Sequence, residues 1–252
     1  MTRNAKRLLF LLVLALLTLS AVWGVSMFAR PLPGAEANEM RYLRAVYVLK
    51  SFGGPASAEP DEVPARVRFD DDTESLLHHP DKILVLGLLA EDLAACGRNM
   101  PRAGLFEAYA RLGMGEKERA ASLLMRHVVT NPYNAGHYAL LCRTLYEIGD
   151  ATGLLIICRE WAERDAECRE DRARYVYIAL YALGRFADAE KTMRDEAACL
   201  GWQAVPYAAK AALAAGDAAR AEAMIEEGAR LNPASENGMR RLWERLRGRE
   251  RL

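Results

Sequence analysis

The sequence predicts an all-α protein, an array of helical hairpins behind one apolar N-terminal segment. Three observations carry this. Gly115, Gly149, Gly184 and Gly216 are 34, 35 and 32 residues apart, and a period near 34 marks stacked helix pairs. Between the glycines, apolar residues recur every three or four positions, as in Leu123, Leu124, His127 and Val128 or Ala221, Met224, Ile225 and Gly228, which is the period of helix and not of strand. Finally, Leu8 to Ala29 holds 22 residues without a charge, after Arg3, Lys6 and Arg7.

Taken in order, residues 1–30 read as a short cytoplasmic tip and a transmembrane signal anchor. The apolar run is long enough to cross a bilayer, and the leading cations hold the N-terminus in the cytoplasm, placing the rest on the far side. A cleaved signal peptide is the alternative, because Ala35 and Ala37 flank Glu36 in a small-x-small pattern. The run exceeds the roughly 7–15 residues of a signal-peptide core, and the site lies well past its end, so an uncleaved anchor is favoured. Residues 31–72 read as a juxtamembrane helix (Ala37 to Lys50, with Met40, Leu43, Val46 and Tyr47 on one face) and a linker. That helix lies against headgroups or packs on the array. Gly53, Gly54, Pro55, Pro60 and Pro64 and the acidic Asp70, Asp71 and Asp72 mark the linker. The triplet lacks the spaced ligands of a calcium loop and reads as solvated charge.

Residues 73–234 form the predicted repeat domain. Pro80 to Cys96 is almost wholly apolar and too short to span, so a buried helix closing the front of the stack is expected. Hairpins follow near 101–131, 134–166, 170–200 and 202–232. Other residues keep step with the glycines: Ala120, Leu154, Ala189 and Ala221 stand five positions later, and Asn131-Pro132 and Asn232-Pro233 stop the first and last hairpins. Residues 235–252 read as a capping helix, with Met239, Leu242, Trp243 and Leu246 on one face and arginines elsewhere.

These hairpins resemble tetratricopeptide repeats, most clearly in Tyr181 to Ala189 (YALGRFADA) and Ala214 to Ala221 (AAGDAARA). The resemblance covers about residues 101–234. The family's early aromatic survives only as Tyr138, with Gly104, Ala173 and Val205 elsewhere. Its late small residue is replaced by His127, Trp161 and Glu196 and kept only at Gly228. The resemblance implies a right-handed superhelical solenoid that holds peptide or protein segments on its concave side. It also implies which residues line that side, those six and three before the turn glycines: Tyr109, Arg143, Ile178 and Lys210, then Leu112, Tyr146, Tyr181 and Leu213, with Arg174 one turn earlier. The row mixes aromatics with cations and suits an apolar segment carrying acidic groups or free carbonyls. Packing between neighbouring hairpins is the alternative duty for its tyrosines. The family's asparagines for a terminal carboxylate are missing, so that ligand is not implied.

The chain's 34 basic and 34 acidic residues cancel to a net charge of zero, which gives no electrostatic lure for nucleic acid. Five cysteines in an exported chain raise the question of bridges. Cys142 and Cys158 are placed symmetrically about one turn, Cys168 and Cys199 about the next, and either disulfides or buried free thiols fit that spacing. No zinc-type Cys or His spacing occurs; His78 and His79 with Asp81 read as a helix start. No catalytic motif or cofactor loop is present, so no enzyme activity, cofactor or small-molecule substrate is expected. The expectation is a single-pass protein of the inner membrane with a periplasmic domain, a scaffold or assembly factor for an envelope complex. A permanent accessory subunit of a membrane complex is the alternative, and an enzyme without a recognisable motif a remote one.

Overall fold

The computed structural model describes residues 35–59, 63, 69, 71–97, 100, 102–167 and 170–248. The anticipated anchor, residues 8–29, lies outside them, and among the described residues no helix is long and apolar enough to cross a membrane. Thirteen α-helices and three short 3-10 turns make up the described chain. It divides into two compact units between Met114 and Gly115, so the two helices of the first expected hairpin belong to different units.

The first unit contains α1 (Ala35–Ser51), α2 (Asp71–Leu77), α3 (Lys82–Cys96) and α4 (Ala103–Gly113). The expected juxtamembrane helix α1 packs on α3. Tyr42, Leu43, Ala45, Val46, Val48 and Leu49 are all buried, a wider stripe than the one read from sequence. Arg44 pairs with Asp92 at 2.6 Å across that contact. Each fully buried leucine, such as Leu89 or Leu93, contributes about 1.5–3 kcal/mol relative to exposure. The expected linker is partly structured: Gly54–Ala58 is a 3-10 turn and Asp71–Leu77 is helical. Asp71 and Asp72 occupy the first turn of α2, where negative charge meets the positive end of the helix dipole. Beyond the turn, Glu59 accepts hydrogen bonds from Arg102 and from the Tyr109 hydroxyl, the latter at 2.6 Å. Helix α3 begins where Asp81 accepts from the Leu84 amide at 3.0 Å. Its sequence suggested complete burial. Instead it buries Val85, Leu89, Ala90, Leu93 and Cys96 but leaves Ile83, Leu84 and Leu88 exposed, because α1 and α4 cover only one side of it.

The second unit contains α5 (Lys117–Thr130), α6 (Ala135–Ile148), α7 (Ala151–Arg164), α8 (Glu170–Ala182), α9 (Phe186–Asp195), the four-residue α10 (Ala197–Leu200), α11 (Ala204–Ala214), α12 (Ala218–Leu231) and α13 (Glu236–Arg247). Each helix packs on its chain neighbour, and α6 also packs on α8. The three hairpins α6/α7, α8/α9 and α11/α12 share one turn. Gly149, Gly184 and Gly216 have φ of 80°, 71° and 91°, the left-handed region that glycine enters without a Cβ penalty. In each, the glycine amide donates to the carbonyl three residues back and the next amide to the carbonyl five back, as in Gly149 to Tyr146 (3.1 Å) and Asp150 to Leu145 (3.0 Å). These bonds satisfy carbonyls a helix end otherwise leaves open. Asp150 and Asp217 then cap the next helix, accepting from the amides of Gly153 and Arg220 at 2.8 and 2.9 Å.

Ala120, Leu154, Ala189 and Ala221, the residues five after the glycines, are all buried. Departures from the repeat pattern pack against residues that keep it. Where Trp161 replaces a small residue, its ring stacks on Tyr138 at 5.9 Å. Where Gly228 is kept, a Cβ would meet Val205 Cγ1 at 3.0 Å and Met239 Sδ at 2.9 Å, so the glycine permits that approach. His127 Nε2 and His137 Nδ1 lie 3.1 Å apart between α5 and α6, both side chains buried. Met239, Leu242, Trp243 and Leu246 of α13 are buried against α11 and α12.

The cysteine spacing finds a mixed outcome. Cys142 and Cys158 meet across the α6/α7 turn, but as free, fully buried thiols with sulfurs 3.6 Å apart, well beyond the ~2.05 Å of a bond. Their mutual hydrogen bond, and then burial, push the Cys142 thiol well above its ordinary range. Cys96 is free and buried in the first unit. Cys199 is disulfide-bonded; Cys168 lies outside the described residues.

Candidate functional site: the inner helices of the second unit

Helices α6, α8 and α11 are the first members of their hairpins, and side chains join each to the next. Between α6 and α8, Tyr175 is half-buried beside Cys142 and Arg143; burial first, and then Cys142, push its hydroxyl to about 12. Between α8 and α11, the rings of Tyr177 and Tyr207 meet edge to face at 5.2 Å, and Arg174 donates to Gln203 while pairing with Glu170 on its own helix.

Seven of the nine residues expected on the concave row belong to these helices. The cap glycines fix three of them. Tyr146, Tyr181 and Leu213 supply the carbonyls that the Gly149, Gly184 and Gly216 amides bond, so the bond that ends each helix also sets the height of one row residue. Tyr146 is 41% exposed, and Arg143, one turn before it, is exposed and donates to Glu147 at 3.0 Å. Glu147 also receives Lys117 at 2.9 Å. The Lys117 bond first, and then that of Arg143, hold its carboxyl below the usual range. Arg174, Ile178, Tyr181 and Leu213 are half-buried. Tyr181 packs on Tyr177 and Phe186 at 5.7 and 5.1 Å, and burial raises its hydroxyl pKa.

Lys210 has a different position from the expected one. It is 3% exposed, its Nζ donates to the Leu246 carbonyl in the last turn of α13 at 2.9 Å, and it stands 5.6 Å from the Tyr181 ring centroid. A buried ammonium spent on a carbonyl at a helix end holds the cap in place. Tyr109 and Leu112 lie in the first unit. Tyr109 is buried with its hydroxyl on Glu59; burial and that bond raise its pKa. Leu112 lines a cavity of about 410 Å³.

The sequence reading missed Tyr177 and Tyr207. Tyr177 is fully buried, and its hydroxyl has no hydrogen-bond partner among the described residues. Tyr177 and Tyr181 stand four residues apart on one helical face, a signal available in the sequence. Also missed was a second-unit cavity of about 290 Å³ between α9, α11 and α12, with Met193, Val205, Met224 and Leu231 in its wall. At its edge Glu190 is buried and paired with Arg220 at 2.7 Å and Arg194 at 3.2 Å. Among the described residues no group of three or more His, Cys, Asp or Glu side chains is placed to hold a metal ion.

No protein-family model matches the chain, and no curated protein matches it. Solved structures similar to it include two of MamA. One, MamA AMB-1, has 17% identity and a TM-score of 0.47 and covers 60% of this chain and 88% of its own. The other, MamA MSR-1, has the same identity and score and covers 65% of this chain and 95% of its own.

Proposed function

We propose that this protein is a membrane-anchored interaction scaffold that helps to assemble an envelope complex by holding a partner segment along α6, α8 and α11. One observation carries the reading. Arg143 and Tyr146 are exposed while Arg174, Ile178, Tyr181 and Leu213 are partly so, a row of aromatic, aliphatic and cationic groups on helices locked by repeated caps. Aromatics and arginines on a rigid frame are the groups that dominate protein interfaces. Two arginines on that row favour a segment with acidic side chains or unpaired carbonyls.

The uncharged run from Leu8 to Ala29 supports an anchor with the described units on the exported side. The disulfide at Cys199 supports an oxidising compartment such as the periplasm. Anchoring raises the local concentration of the row beside membrane partners, an advantage that requires no catalysis. Crosslinking in native membranes followed by mass spectrometry tests the proposal. Arg143→Ala combined with Tyr146→Ala removes the captured segment while helical content and melting temperature stay near wild type. Undiminished capture by that double variant rejects the row as the site.

A further inference from the structure

We propose that the exposed face of α3 rests on the lipid bilayer surface, so that the first unit docks flat beside the anchor. This rests on the reading of residues 8–29 as membrane-inserted. Ile83, Leu84 and Leu88 are 64%, 52% and 51% exposed, three large aliphatics within two turns. The patch continues into the loop after α1: Phe52, Gly53, Gly54 and Pro55 share the cavity of about 410 Å³ with Lys82 and Ile83. Lys82 stands 5.5 Å from the Phe52 ring centroid, a cation beside an aromatic at the rim. Gly53 and Gly54 have positive φ and nothing within 4 Å of an added Cβ, so the loop tip is open to the outside. Aliphatics and an aromatic ringed by a lysine are the chemistry of an interfacial membrane contact, and the lysine suits anionic headgroups.

The chain itself argues for lipid as the occupant. Ala29 ends the uncharged segment and Ala35 begins α1, so the tether between them spans at most about 20 Å. Helix α1 has 17 residues and is about 25 Å long. It runs antiparallel to α3: Cys96 Sγ donates to the Asn38 carbonyl near one end, while Phe52 meets Lys82 at the other. Laid along the membrane, this pair brings Ile83, Leu84 and Leu88 to the headgroups within reach of the tether. Stood upright, it leaves them in water.

The test uses the full chain in vesicles of phosphatidylcholine with and without phosphatidylglycerol. Leu84→Cys and Leu88→Cys are labelled with bimane under native conditions, where Cys96, Cys142 and Cys158 are buried; the unsubstituted protein measures background and Tyr133→Cys, at an 89% exposed position, is the aqueous control. At both α3 positions we expect quenching by doxyl-labelled lipid about threefold above the control and protection from iodide, as for side chains set into the acyl boundary. Lys82→Glu should reduce the quenching in the anionic vesicles. Labels open to iodide on protein that still floats with vesicles overturn the docking and leave the anchor standing. Labels shielded from iodide but not quenched by lipid also overturn it, assigning the face to a second copy or another protein. Protein that does not float overturns the anchor, and the docking with it.

Discussion

At the scale of single residues, burial decides duty more strongly than position in the repeat. Lys210 and Arg143 occupy the same place relative to their turn glycines, yet one is buried on a carbonyl and the other exposed. Both helices are covered by the one that follows their hairpin, α11 by α13 and α6 by α8, but only α13 offers a chain carbonyl, that of Leu246, to the cation beneath it, whereas Arg143 turns to Glu147 on its own helix. Repeat spacing in the sequence could find both positions but not the acceptors. Lys210→Met should therefore lower unit stability by about 1–3 kcal/mol, the cost of unmaking a buried charged hydrogen bond. Hydrogen exchange should show α13 opening first; unchanged protection of α13 would remove Lys210 from that role. Tyr177 carries the opposite expectation. Its buried hydroxyl has no partner among the described residues and costs about 1–3 kcal/mol of desolvation, so Tyr177→Phe should raise the midpoint of urea unfolding. A lower midpoint would show that the hydroxyl is bonded in solution.

At the scale of elements, the turns were the most legible part of the sequence, because a glycine with positive φ is a local requirement. Gly149→Ala places a Cβ in the left-handed region at φ 80° and should cost about 1–2 kcal/mol, measurable as a shift in unfolding midpoint with partner capture retained. The pairings between elements were not legible. His127 on α5 and His137 on α6 read as separate residues in the sequence, and only the turn through Pro132 brings their rings together. The same holds for Tyr138 with Trp161, where a residue that departs from the repeat pattern stacks on one that keeps it. Glu147 joins α5 to α6 through Lys117, and its lowered carboxyl pKa sets a pH dependence. The carboxylate is stabilised in the fold, so its contribution is present above the ordinary glutamate value near 4.3 and is lost as pH falls through the lowered folded value. The melting temperature of Glu147→Gln should therefore lie below wild type at neutral pH and converge with it in acid. A gap that persists in acid would give the loss another cause.

At the scale of the whole molecule, the hairpin array was legible from period and punctuation, whereas the exposed face of α3 was not. An apolar run announces burial but does not say how many sides neighbours cover. The cysteines show the same limit: symmetry about a turn brought Cys142 to Cys158 but could not set sulfur against sulfur within bonding distance. Alkylation of denatured protein before reduction should label Cys96, Cys142 and Cys158 and spare Cys199, which reduction then releases; labelling of Cys96 alone before reduction would show the facing thiols joined. The repeated glycine caps also limit how such a surface can change. Each row residue is placed by counting back from its glycine, and one residue added between Tyr146 and Gly149 would swing that side chain through about 100° around its axis. Variation on this face is therefore confined to exchange of side chains at fixed length, and a family of such proteins could acquire new partners by point substitution while insertions collect in the connections between hairpins.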